Sequence, residues 1–99
     1  MGTKPRTKPE RLAEKLLRIR VALGLSQPEL VRRLRVEGEI TFKQISKYET
    51  GLREPTLAIL LQYARIAGIS METLADDKLD LPNKLPGKPL SGHESQRGG

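Results

Sequence analysis

The chain has no cysteine, a single histidine and only 3% aromatic residues in 99 positions. Without cysteine, a disulfide framework and a thiolate metal site are both excluded. With so few aromatic residues, a core has to be built from Leu, Ile and Val, which suits short packed helices. No apolar run approaches the ~20 residues that span a bilayer, and no apolar signal core follows the basic N-terminus. We therefore expect a cytoplasmic protein without a membrane partner.

Residue types that carry enzyme chemistry are scarce. The single histidine, His93, lies among glycines near the C-terminus, where nothing would hold a partner against it. The sequence contains no glycine-rich phosphate loop ahead of a helix and no cluster with metal-ligand spacing. Asp76, Asp77 and Asp80 either chelate a cation weakly or frame the end of a helix. We expect no enzyme activity, no cofactor and no bound metal.

The basic charge is concentrated at the start of the chain. The formal net charge is +6, and residues 1–20 hold seven basic and two acidic side chains. Residues 21–75 hold seven and six, and residues 76–99 hold four of each. An excess of this kind indicates a polyanionic partner, and nucleic acid is the first candidate. A solvated, solubilising terminus explains the charge equally well.

Helix start and stop signals recur along the chain. Thr7, Ser26 and Thr41 each precede a Glu or Gln by three residues, which is the capping-box pattern. Glycines at 24, 38, 51 and 68 fall where helices are expected to end. Ser70 starts one more short helix. The predicted helices are 8–23, 27–37, 42–50, 56–67 and 71–76, and no segment alternates with the period of a strand.

The fourth predicted helix is apolar on two sides. Its core-facing residues are predicted to be Leu57, Leu60, Leu61 and Ala64. A second stripe is formed by Ile59, Tyr63 and Ile66. A helix that is apolar on two sides is usually covered on two sides. This second stripe is therefore predicted to form a homodimer interface, or else to be covered by the last helix and the following residues of the same chain.

The chain is predicted to divide into three parts. Residues 1–8 form a basic arm, residues 9–77 a helical domain, and residues 78–99 a tail. Prolines at 82, 86 and 89 and glycines at 87, 92, 98 and 99 interrupt any helix in the tail. We expect this tail to be disordered and flexible, or to rest on the body through Leu79, Leu81 and Leu85.

Several short segments, in order, resemble a known family. They are Leu25-Ser26-Gln27-Pro28-Glu29-Leu30, Ile45-Ser46-Lys47-Tyr48-Glu49-Thr50-Gly51, Pro55-Thr56-Leu57, Ala64 and Gly68-Ile69-Ser70 ahead of Leu74. Across residues 16–74 the sequence resembles the Xre/Cro/phage-repressor helix-turn-helix family. The resemblance implies an all-α, five-helix, lambda-repressor-like domain whose second and third helices read double-stranded DNA in the major groove. It also implies a bacterial or phage regulator, a repressor, that binds a pseudo-palindromic operator as a homodimer.

The resemblance assigns DNA contacts to particular residues. The base-reading residues are Phe42, Lys43, Gln44, Ser46 and Lys47. The phosphate-binding residues are Gln27, Thr41, Thr50 and Arg53, with Lys4, Arg6 and Lys8 of the arm. Two of the base-reading residues have alternative roles, since Phe42 can fold back as a hydrophobic staple and Gln44 can complete the capping box of its own helix. The arm either becomes ordered on DNA or adds only a screened attraction.

The resemblance also implies a structural ion pair and reveals one departure from the family pattern. Arg20 and Glu49 fall where the family pairs the first helix with the third. Four residues, 36–39, look inserted between helices 2 and 3, and Arg35 stands where a glycine would end helix 2. Since four residues make about one helical turn, we expect helix 2 to continue to Gly38. This extension would place two glutamates, Glu37 and Glu39, near the DNA.

A second function stays open at this point. The same fold can serve as an antitoxin or as a bridging coactivator whose main partner is a protein. Such a partner would bind through helix 4 or the C-terminal tail.

Overall fold

A computed structural model describes residues 9–87, and these form five α-helices without a strand. The helices are α1 (Leu12–Ala22), α2 (Gln27–Leu34), α3 (Phe42–Glu49), α4 (Leu57–Ala67) and α5 (Met71–Ala75). The predicted all-α, five-helix architecture is therefore confirmed. Within the described range, no helix has the length and apolar character needed to cross a membrane.

Most of the predicted helix starts are present. Ser26 Oγ accepts from the backbone N–H of Glu29 at 3.1 Å, and Glu29 Oε1 accepts from the N–H of Ser26 at 2.7 Å. These bonds to the carboxylate hold the pKa of Glu29 below its usual value. Thr41 caps α3 by accepting from the N–H of Lys43 at 3.3 Å, but Gln44 does not complete the predicted capping box.

The start of α1 differs from the prediction. The helix begins at Leu12 instead of residue 8, and the Arg11 side chain does not cap it. The carboxylate of Asp77 accepts instead from the backbone N–H groups of Glu10 and Arg11, at 2.8 and 3.0 Å. Thr7 lies outside the described residues. A cap contributed from far along the chain leaves no local sequence signal, which explains the error.

The end of α2 also differs from the prediction. The helix stops at Leu34, and Arg35 takes the left-handed conformation at φ 61°, so the predicted extension to Gly38 is wrong. Val36 explains the early stop, because its side chain is only 6% exposed. A continued helix would place Val36 about 200° around the axis from buried Leu34, on the solvent side. The left-handed turn brings Val36 into the core.

The buried face of α4 was predicted only in part, since Leu60 and Ala64 are buried as expected. Ile59 and Tyr63 are 3% and 0% exposed and lie in the core, and Ile66 packs against it. Leu57 and Leu61, predicted to be core, are 75% and 37% exposed. Because α4 is apolar on most sides, its pattern alone does not define the buried face. Ile59 and Tyr63 are thus unavailable as dimer contacts.

Residues 78–87, called here the C-terminal strap, pack on the helical body. Leu81 is 6% exposed, Leu85 is partly buried against the core, and the N–H of Gly87 donates to the Ala67 carbonyl at 2.9 Å. This packing agrees with the alternative in which the tail rests on the body. Leu79 remains 37% exposed. Residues 88–99, with His93, lie outside the described residues.

Polar contacts join the start of α1 to the residues around α5. Arg11 donates to the Asp77 carbonyl and to the Asp80 carboxylate, both at 2.7 Å. Lys15 is fully buried, and its Nζ donates to the carbonyl oxygens of Thr73 and Asp76 at 2.8 and 2.9 Å. Burial lowers the pKa of Lys15. Asp77 and Asp80 thus both contact the residues at the start of α1.

Candidate nucleic-acid interface

Helix α3 packs on the body through Ile45 and Tyr48, which are 0% and 3% exposed. Its other faces carry the residues that the sequence assigned to base contacts. Phe42, Lys43 and Ser46 are exposed, and Gln44 and Lys47 are half-buried. Phe42 keeps 47% of its surface exposed, so its ring is open to a binding partner. The outward surface of α3 therefore combines two cations, a hydroxyl and an aromatic ring.

Gln44 is half-buried on α3, close to Tyr48. Burial raises the pKa of Tyr48, and the neighbouring Gln44 opposes this shift only in part. Gln44 therefore has less surface open to a binding partner than Phe42, Lys43 and Ser46.

Arg20 and Glu49 form a bidentate ion pair between α1 and α3. Arg20 Nε and Nη2 donate to the two carboxylate oxygens of Glu49 at 2.6 and 3.1 Å. The side chains are 19% and 6% exposed. The hydrogen bond with Glu49 raises the pKa of Arg20. Because charges removed from water need partners, this pair fixes α3 to the body.

The start of α2 is joined to the same carboxylate. Gln27 Nε2 donates to Glu49 Oε1 at 3.2 Å. Arg20 Nη1 donates to the Leu25 carbonyl at 3.0 Å, just ahead of α2. An amide group carries two hydrogens, so Gln27 keeps one donor for an outside acceptor. The network therefore sets the position of α3 relative to the first residues of α2.

The remaining phosphate candidates differ in what they can donate. Thr41 accepts a backbone hydrogen bond at the N-cap, which leaves its hydroxyl hydrogen free. The Thr50 hydroxyl already donates to the Ser46 carbonyl at 3.1 Å. Arg53 is exposed in the loop after α3, and its N–H donates to the Lys47 carbonyl at 3.2 Å. Lys4, Arg6 and Lys8 lie outside the described residues.

Two features near this interface were not found from the sequence. Tyr63 is fully buried close to Arg20 and Glu49, and its hydroxyl has no hydrogen-bond partner among the described residues. Burial raises the pKa of Tyr63. Leu52, in the loop between α3 and α4, is 71% exposed and precedes exposed Leu57. No motif distinguishes these side chains from ordinary core residues.

Comparison with known proteins identifies the fold family. A helix-turn-helix family model matches residues 16–74, which is more than half of the chain. The searches of curated proteins and of solved structures give no match. The matched range includes all of α2 and α3 together with the ion pair that links α3 to α1. The chain therefore belongs to the Xre/lambda-repressor-like helix-turn-helix family, a family of DNA-binding regulators.

Proposed function

We propose that the chain is a transcriptional repressor that recognises duplex DNA by placing the first residues of α3 in the major groove. The observation that carries this proposal is the division of α3 into two faces. Ile45 and Tyr48 anchor one face in the core, while Phe42 and Lys43 stay exposed at its start. The major groove admits one α-helix, and a recognition helix contacts base edges with its N-terminal residues.

The chemistry of the exposed residues suits base edges. A lysine ammonium donates to guanine O6 and N7, a hydroxyl serves either donors or acceptors, and an aromatic ring packs on the thymine methyl group. In our proposal, Lys43 and Lys47 supply the donors, Ser46 the hydroxyl and Phe42 the apolar contact. Gln44, which is half-buried beside Tyr48, contributes less to base recognition.

Phosphate contacts would fix the register of α3 on the duplex. The proposal assigns them to Gln27 at the start of α2, to Thr41 and to Arg53. Thr50 would bind a phosphate only after its hydroxyl releases the Ser46 carbonyl. A helix N-terminus favours an anion, and phosphate contacts position a protein without carrying sequence information. Since Glu49 holds Gln27 at 3.2 Å, a phosphate bound by Gln27 would be coupled directly to the end of α3. The arm residues Lys4, Arg6 and Lys8 would add attraction.

A homodimer on a pseudo-palindromic operator in the cytoplasm is part of the proposal. Two recognition helices would then lie about 34 Å apart. Ile59 and Tyr63 are buried within the chain and do not contribute. The exposed leucines after α3, Leu52, Leu57 and Leu61, offer an apolar surface for a second copy instead. The same leucines favour the second candidate function, an antitoxin or coactivator module that binds a protein.

Selection of bound duplexes from a random pool tests the proposal, because it measures binding, site symmetry and sequence preference together. We expect an enriched sequence with two related half-sites. Lys43→Ala should change the preferred bases, whereas Arg53→Ala should weaken binding to all sequences about equally. Lys84→Ala, which removes a cation from the strap, is the charge-matched control and should alter neither.

The result that contradicts the proposal is a pool without enrichment. Unchanged duplex affinity in both Lys43→Ala and Arg53→Ala would contradict it as well. Enrichment with no effect of these two substitutions would indicate DNA binding by another surface, and a stable complex with a protein through Leu57 and Leu61 would support the second candidate.

A further inference from the structure

A short turn ahead of α3 carries two glutamates without a described counterion. Residues 36–40, called here the acidic turn, include Glu37 and Glu39, both exposed. The salt bridges formed by residues 9–87 join Arg11 to Asp80 and Arg20 to Glu49. The charges of the acidic turn are therefore not neutralised by an ion pair within the described part of the chain.

The acidic turn is closed and fixed at both ends. The Val36 carbonyl accepts from the N–H groups of Glu39 and Ile40 at 2.9 and 3.0 Å. Val36 is 6% exposed, and Ile40 packs against the core. Arg35, in its left-handed conformation, directs the chain into this turn. The two carboxylates therefore project from a compact turn instead of a long loop.

The acidic turn immediately precedes the N-terminal end of α3, which is the end proposed to enter the major groove. Glu39 precedes the N-cap Thr41 by two residues, so their Cα atoms are at most about 7 Å apart. Charges interact over a screening length of about 8 Å at physiological salt. The hydrogen bond between Val36 and Ile40 keeps Glu37 on the same turn. Glu39 therefore lies close to the start of α3, and Glu37 belongs to the same closed turn.

We propose that the acidic turn reduces the sequence-independent attraction of this interface to duplex DNA and so makes binding depend more on the base contacts of α3. The inference rests on the proposed function and deepens it. Non-specific binding comes almost entirely from neutralised phosphates. Lys43, Lys47 and Arg53 carry three positive charges, and exposed Arg35 adds a fourth at the start of the acidic turn. Glu37 and Glu39 offset two of these four charges.

The effect is local, so it differs from that of net charge. A carboxylate at this position repels the phosphates that flank the groove in every register. Base contacts are not weakened by that repulsion once α3 is seated, so their share of the binding free energy increases. A role limited to stabilising the positive N-terminal end of α3 would instead change the stability of the fold and leave duplex affinity unchanged.

The test compares two double variants of equal charge in the full chain. Glu37→Gln with Glu39→Gln removes the acidic turn's charges. Glu14→Gln with Glu72→Gln removes two exposed carboxylates from α1 and α5. Affinity is measured between 50 and 200 mM salt for an unrelated duplex and for the duplex selected by the wild type.

We expect the acidic-turn variant to bind the unrelated duplex about tenfold more tightly than wild type. Its affinity should also fall more steeply with salt, by about one to two further log units per log of salt concentration. The control variant should stay within about twofold of wild type. A gain for the unrelated duplex at least as large as that for the selected duplex supports the inference.

Three results would overturn it. Equal gains in both double variants would assign the effect to net charge. Weaker binding of the acidic-turn variant to the selected duplex alone would show that a carboxylate accepts from a base amino group. Unchanged affinity with altered thermal stability would assign the turn to the N-terminal end of α3. Failure of the proposed function itself would give a different result, because the wild type would then bind no duplex.

Discussion

Glu49 is bound by two nitrogens of Arg20, at 2.6 and 3.1 Å, and this pair joins the end of α3 to the last turn of α1. Both side chains are largely removed from water, with Glu49 only 6% exposed. The fully buried Tyr63 closes the space near them on the side of α4. The orientation of α3 therefore depends on an ion pair within the protein itself.

Replacing Glu49 by Gln leaves the Arg20 guanidinium buried without its countercharge. Removing one partner of a buried pair costs about 3 kcal/mol, so the free energy of unfolding should fall by roughly that amount. Urea denaturation measures it. Glu72→Gln, which removes an exposed carboxylate of α5, should shift stability by less than about 0.5 kcal/mol. Similar stabilities for the two variants would contradict the structural role of the pair.

The stability of the fold at acid pH should depend on the Asp77 carboxylate. Backbone hydrogen bonds from Glu10 and Arg11 hold the pKa of Asp77 below its usual value. A carboxylate with a lowered folded-state pKa adds stability above its unfolded pKa of about 3.9, and this contribution is lost as the pH falls through the folded-state value. Asp77→Asn should therefore lower the melting temperature at neutral pH and make its decline below pH 4 shallower.

Thermal unfolding followed by circular dichroism between pH 2 and pH 7 measures this effect. Asp80→Asn is the matched control, because it removes the charge paired with Arg11 but caps no helix. Parallel pH curves for wild type and Asp77→Asn would show that the cap contributes nothing.

The contact between Gly87 and α4 predicts that the strap belongs to the folded domain. A Cβ at Gly87 would lie 1.9 Å from the Ile66 carbonyl oxygen, so Gly87→Ala forces the end of the strap away from α4. We expect a loss of about 1–3 kcal/mol, as for other overpacked sites. Gly38→Ala is the control, because a Cβ there meets nothing within 4 Å. Equal stabilities would mean that the strap is only loosely attached.

Local patterns predicted the helices, but not the contacts between distant parts of the chain. Ser26 and Thr41 mark real helix starts because their caps lie within three residues. The cap of α1 comes from Asp77, 66 or more positions away, and no local rule finds it. The surface of α3 was predictable because Ile45 and Tyr48 define its inner face clearly. The buried face of α4 was not, since nearly every side of that helix is apolar.

At the end of α2, burial of Val36 outweighs the local helix pattern that predicted a longer helix. The last prediction concerns this position. Arg35 is the only non-glycine residue of the described chain with a positive φ, at 61°. A left-handed conformation costs an L-residue roughly 1–2 kcal/mol, and glycine adopts it without that cost. Arg35→Gly should therefore stabilise the fold by about 0.5–1 kcal/mol, after the greater backbone entropy of an unfolded glycine is subtracted.

The control is Arg32→Gly, within the helix, which should destabilise the fold by about 1 kcal/mol. Urea denaturation of both variants checks the difference in sign. Destabilisation by both would show that α2 continues past Leu34 and that the chain does not turn at Arg35.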